Sequence, residues 1–321
     1  MMRRYFLLAF ALTLFATAAW PQPNKVQVIG VLMISAGAED PIFLAMREGL
    51  RERGYVYNRD YRIEHRTALG QAERIPQLAR ELLALKVDVM VVSLERVVRT
   101  VKELTSTTPI VMVSYDHDPV ASGLVASLNR PGGNVTGIAT LTPDLVGKRL
   151  QILKETLPGL SRVAVFWDTF SRGQLQDLEP AARTLGIELQ RIELTGAYDF
   201  DAAYTFAEEH NARAALMLLS PRFFVRRIEI EALAQRHKMP IMHYDESVVK
   251  AGGFISYGSS SSDLYKRAAY YIDRLLKGAK PQDLPIEQES RLKLVVNLKT
   301  AKALRITIPE SVLLRADEVI Q

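Results

Sequence analysis

The chain has 321 residues, 48% of them hydrophobic and 24% charged, which supplies a sizeable core and excludes global disorder. The formal net charge is +5, but Lys and Arg are interspersed with acids, as in RELLALK and RRIEIE, so no basic stripe for a nucleic acid emerges. There is no cysteine, which removes disulfides, thiolate metal sites and cysteine nucleophiles.

The N-terminus has three parts: Arg3 and Arg4, the uncharged apolar run YFLLAFALTLF over residues 5–15, and the small residues Ala16-Thr17-Ala18-Ala19. This is the pattern of a secretory signal peptide over residues 1–19, with cleavage expected near Ala18 or Ala19. The apolar run falls short of the roughly 20 residues that a membrane span needs. A mature protein outside the cytoplasmic membrane, in the periplasm, is expected.

Beyond residue 25 the pattern alternates. Apolar, β-branched runs at 26–34, 87–92, 109–114 and 135–140 read as strands buried on both faces, and 61–66 alternates as a half-buried strand. Helices are predicted between them: one opened by Asp40 and Pro41 with Phe43, Met46 and Leu50 on one face, then 72–85 and 95–104. A second series follows, with helices at 145–157, 174–185, 200–210 and 225–236 and strands at 162–167, 187–192, 214–219, 241–243 and 254–257. A long amphipathic helix at 264–277, a strand at 292–296, a short helix at 299–304 and a helix-like tail from 309 complete the chain. Such alternation predicts an α/β protein with parallel sheets. The glycine pairs Gly132-Gly133 and Gly252-Gly253 bracket the second series, so two lobes are expected: 26–140 plus 252–285, and 141–251 plus 286–321.

No nucleophile elbow, phosphate loop or dinucleotide fingerprint occurs, and the five histidines show no metal-binding spacing. Neither an enzyme nor a resident metal or cofactor is expected. What recurs is polar or aromatic residues at strand carboxyl ends: Ser35, Ser93, Tyr115, Asp116, Trp167, Asp168, Ser220, Tyr244, Asp245 and Tyr257. That edge is where open α/β sheets hold ligands. One set per lobe describes a cleft with hydroxyls and helix N-termini for an anion, carboxylates for a cation, and aromatic walls.

The segments FLAMREGLRERGYV, RIPQLARELLALKVDVMV, DPVASGLVASLNRPGGNVTGIA, GKRLQILKETLPGLSRVAVFWD, GGFISYG and DLYKRAAYYIDRLLKGAKPQDLPIEQ span nearly the whole mature chain in order. Through them the chain resembles the ABC transporter substrate-binding proteins of the tryptophan/tyrosine-binding-like group. The resemblance implies a type I periplasmic binding fold, with two Rossmann-like lobes joined by three hinge crossovers. It implies an importer component that captures a small, amino-acid-like organic ligand by hinge closure and hands it to a membrane permease and its ATPase. A monomer is expected; the alternative is a receptor feeding a membrane signalling protein. Departures fall at strand ends, where Ser93-Leu94-Glu95-Arg96, His117-Asp118-Pro119-Val120 and Trp167-Asp168-Thr169 replace the group's usual residues; they point to a more polar or differently charged ligand. Ser35 and Ser93 are assigned to a carboxylate, Asp116, Asp168 or Asp245 to an amine, and Tyr115, Trp167 and Tyr244 to apolar walls.

Overall fold

The structure, a computed structural model, describes residues 25–35, 37, 40–114, 118–140 and 145–321; the signal peptide expected over residues 1–19 lies outside them. In the first lobe, β1 (Gln27–Met33), α1 (Pro41–Arg51), β2 (Tyr61–Thr67), α2 (Ile75–Ala84), β3 (Val89–Ser93), α3 (Glu95–Leu104), β4 (Ile110–Ser114) and β5 (Val135–Ala139) alternate as the hydrophobic pattern predicts. β3, β4 and β5 are buried at every position, because helices cover both faces of the sheet. Asp40 caps α1 by accepting from the Ile42 N–H, Pro41 occupies its first position, and Phe43, Met46 and Leu50 face the core.

The chain then crosses into the second lobe. There α4 (Leu145–Thr156), β6 (Arg162–Trp167), α5 (Arg172–Leu185), β7 (Glu188–Glu193), α6 (Phe200–Glu209), β8 (Ala215–Met217), α7 (Pro221–Val225), α8 (Arg227–Arg236), β9 (Ile241–His243), α9 (Glu246–Lys250) and β10 (Ile255–Gly258) follow. It returns to the first lobe for α10 (Ser261–Leu276) and β11 (Glu287–Gln288). A third crossing delivers β12 (Lys293–Asn297), α11 (Leu298–Ala303), α12 (Glu310–Leu313) and β13 (Glu318–Ile320) to the second lobe. The first sheet has the order β11-β5-β4-β3-β1-β2 and the second β13-β12-β10-β9-β8-β6-β7. Among the described residues all strand pairings are parallel except β10 with β12.

Sheet membership departs from the expected lobe boundaries at two points. The Gly252-Gly253 pair is not the crossing: β10, which follows it, pairs with β9 and β12 of the second sheet, and the chain changes lobes only at Ser259 and Ser260. β11 pairs with β5, so residues 287–288 belong to the first sheet rather than the second. The tail departs too. The Leu294 N–H donates to Asp317 Oδ2 at 2.8 Å and the Asp317 N–H to the Leu294 carbonyl at 2.9 Å, and this pins β13 to the sheet edge in place of a longer helix.

Each sheet has a hydrophobic cluster on either face. One of them is completed by distant sequence, since α10 lies across α1. A Cβ on Gly49 would stand 2.4 Å from the Lys266 carbonyl, so only glycine permits that approach.

Candidate functional site: an interlobe cleft

Leaving aside the appended strands, both sheets share one order: β2-β1-β3-β4-β5 and β7-β6-β8-β9-β10. In each, the order reverses at the first strand of the lobe. Helices leave to opposite faces there, and the carboxyl ends of the flanking strands open a crevice. The two crevices face each other and form one cleft. The first lobe lines it with Met33 and Ser35 beyond β1, Ser93 and Leu94 beyond β3, Ile42, and Ser261 and Tyr265 of α10. The second lobe adds Leu219, Ser220, Pro221 and Phe224 beyond β8, with Tyr244 and Asp245 beyond β9. The lining is chiefly apolar, with a few polar groups at set positions, which suits a small organic ligand.

Ser93 Oγ donates to Met33 Sδ at 3.4 Å, and the Tyr265 hydroxyl donates to the same sulfur at 3.2 Å. A thioether is a weak acceptor, so a ligand oxygen is a better partner for the Ser93 hydroxyl. Leu94 holds φ 68° and ψ 139°, a backbone state that L-residues rarely adopt, and α3 carries no side-chain cap. Strain of this kind, of order 1–3 kcal/mol, gathers at binding sites. Here it leaves the first N–H groups of an uncapped helix beside the cleft.

Asp245 has two tasks. Its Oδ1 accepts from the Ser247 N–H at 2.8 Å and the Ser247 hydroxyl at 2.5 Å, capping α9, and its Oδ2 accepts from Ser261 of the opposite lobe. A carboxylate has about four acceptor positions, so capacity remains for a ligand cation. Tyr244 lines the cleft beside it, its hydroxyl pKa driven far up by burial and the neighbouring Asp245 charge.

Strand-end position did not select equally well everywhere. Ser35, Ser93, Ser220, Tyr244 and Asp245 meet at the cleft, whereas Trp167, Asp168 and Tyr257 do not line it. Asp168 is fully buried and committed inside its own lobe. Oδ2 accepts from Tyr198 at 2.9 Å and Ser220 at 2.5 Å, and Oδ1 from the Phe170 N–H at 2.9 Å and the Ser171 hydroxyl at 3.3 Å. Burial and that carboxylate push the Tyr198 pKa up to about 12. Ser220 accepts from the Arg222 N–H at 3.2 Å, so it caps α7 from the cleft wall. Trp167 and Tyr257 pack against the core of the second lobe. Tyr115 and Asp116 lie outside the described residues.

The structure adds cleft residues that strand-end position does not select. Phe224 comes from the short α7, and Ser261 and Tyr265 come from α10 after the second crossing. Arg149 stands behind the cleft wall, where its Nε donates to the Tyr257 carbonyl at 2.7 Å. Its signal in the sequence is a cation in the apolar register of α4, among Val146, Leu150 and Leu153.

Contacts across the cleft join the lobes. The Arg222 Nε donates to the Gly70 carbonyl at 3.1 Å, Arg227 lies 3.4 Å from Asp40, and Phe170 packs against the first lobe's core.

Two like lobes that face each other across a mostly apolar crevice, at the carboxyl ends of parallel strands, define a ligand-binding protein of the periplasmic binding class. The ABC transporter substrate binding protein family matches residues 25–320, and the chain belongs to that family. It is similar to a tyrosine-binding protein of Clostridioides difficile (strain R20291), with 23% identity over 80% of this chain and 74% of that one. A structure from Streptococcus pneumonia described as an ABC domain in complex with L-Trp is 26% identical and covers 92% of this chain and 100% of its own, with a TM-score of 0.80. A conserved domain protein of Vibrio cholerae is 27% identical at the same coverage, with a TM-score of 0.79. The chain is therefore a binding protein rather than an enzyme. It takes a small molecule, works with ABC transporter components, and belongs to a group that acts outside the cytoplasm. Among the described residues no helix is long and apolar enough to cross a membrane.

Proposed function

We propose that the protein captures an amino acid with an apolar or aromatic side chain in the interlobe cleft, closes on it by hinge motion, and delivers it to the permease of an ABC importer. The observation that carries this reading is the lining of the cleft. Ile42, Leu94, Leu219, Pro221, Phe224 and Tyr244 supply an apolar and aromatic body, and Ser35, Ser93, Asp245 and Ser261 supply the polar end. The carboxylate falls to Ser93 and the uncapped start of α3, and the amine to Asp245. The L-Trp bound by one similar structure and the tyrosine of a similar protein's name belong to the same ligand class. Of the residues behind the expectation of a more polar ligand, Asp168 already accepts four hydrogen bonds within its own lobe. Export by residues 1–19, a periplasmic address and a monomeric state complete the proposal.

The test is thermal shift and calorimetry of the mature protein against the twenty amino acids, with mass spectrometry of whatever co-purifies. Stabilisation by tryptophan, tyrosine, phenylalanine or leucine is the expected result. Stabilisation by none of the twenty overturns the ligand class.

A further inference from the structure

We propose that Arg149 is the anion anchor of the cleft and grips the ligand carboxylate through Nη1 and Nη2, with Ser93 and the start of α3 in support; this rests on the amino-acid reading above. Arg149 is only 7% exposed, and among the described residues its one hydrogen bond, from Nε to the Tyr257 carbonyl, uses a single donor of five. Among the described residues no carboxylate pairs with it, and Nη1 and Nη2 have no acceptor. The other charged groups buried around the cleft are supplied. Asp168 has four donors, Asp245 three, and Asp40 has Arg227. A guanidinium this deeply buried, with no anion paired to it, is costly unless an anion arrives to complete the site. Burial pulls its pKa down to about 10, far above neutrality, so the cation persists.

Its position brings that charge up behind the cleft wall: Arg149 is not itself one of the residues that line the cleft, but Tyr244 and Asp245, which do, lie within reach of its charge. A Cβ on Gly258 would stand 3.3 Å from Nη2 and 2.1 Å from the Tyr244 carbonyl, so the guanidinium lies beside Gly258 and near the main chain of Tyr244, a wall residue. Its charge acts on Tyr244 and Asp245, both of which line the cleft. Asp245 and Arg149 thus present opposite charges along one wall, the complement of an α-amino acid with its ammonium beside its carboxylate. A guanidinium matches a carboxylate with two parallel N–H bonds, which a serine hydroxyl does not.

The experiment compares L-tryptophan and L-tyrosine with tryptamine and tyramine, which keep the side chain and amine but lack the carboxylate. Binding is measured by calorimetry to the mature protein and to Arg149→Met and Arg149→Lys. The wild type is expected to prefer the acids. Arg149→Met is expected to lose about 10–100-fold in affinity for the acids while affinity for the amines stays within about threefold. Arg149→Lys, which keeps the charge but not the fork, is expected to lose at least threefold in the acid-to-amine ratio and carries the test if the methionine variant does not fold. Folded variants with an unchanged ratio overturn the assignment of Arg149. A wild type that binds none of the four molecules, nor phenylalanine or leucine, counts instead against the proposed ligand class.

Discussion

Asp40 of the first lobe caps α1 and, in the same conformation, lies 3.4 Å from Arg227 of the second lobe, with only 7% of the aspartate exposed. One carboxylate thus holds a helix start and an interlobe contact at the cleft edge. Burial, the largest influence, raises its pKa above the ordinary 3.8, and the Ile42 N–H and then Arg227 only partly offset that. A raised folded pKa means that the stability linked to Asp40 is fully present below its unfolded value and is lost as the pH rises through the folded one. At neutral pH the charge is therefore a net cost. Asp40→Asn keeps an equally good cap, so it is expected to raise the melting temperature at pH 7. That gain should shrink as the pH falls toward 3.8. A pH series of melting curves for both proteins checks this, and a variant less stable at pH 7 would count against it.

Asp168 and Asp245 are expected to separate stability from binding. Asp168→Ala strips the acceptor from the hydroxyls of Tyr198, Ser220 and Ser171 and from the Phe170 N–H, all within the second lobe. Leaving those donors without their charged partner should cost about 3–5 kcal/mol of stability, read by chemical denaturation. Asp245→Ala is expected to cost about 10–100-fold in amino-acid affinity, because its carboxylate faces the cleft. If Asp245→Ala leaves affinity untouched, the amine site lies elsewhere.

Gly258 is a position where one methyl group is too many. A Cβ there would approach the Tyr244 carbonyl to 2.1 Å, and backbone rather than a flexible side chain would have to move. Gly258→Ala is expected to lower stability by about 1–3 kcal/mol and to weaken binding together with it, since the displaced residues are the cleft wall. Melting and calorimetry on one sample test the coupling.

Phe224 stands at the cleft with the Arg227 guanidinium 4.2 Å above its ring. Phe224→Ala is expected to weaken an aromatic ligand by about tenfold and an aliphatic one by less. Equal losses for tryptophan and leucine would show that the ring acts only as bulk.

Much of this architecture is written in local pattern. β3, β4 and β5 are covered on both faces and must be apolar at successive positions, and Asp40 with Pro41 announces α1 chemically. Strand ends were legible for the same reason, and five of the named residues meet there. Pairing between distant segments was not legible. β10 reads as a strand anywhere, and only its bonds to β9 and β12 decide its lobe.

The sequence by itself determined the alternation of strands and helices, the repeated series and the strand edge that lines the cleft, because these follow from which faces of each element water can reach. Only the tertiary structure decided which polar groups are free to bind. Asp168 is saturated by Tyr198 and Ser220, 30 and 52 residues further along the chain, while Arg149 is left with a single carbonyl. Local sequence does not carry that difference, since the partners that satisfy a buried charge arrive from elsewhere in the fold.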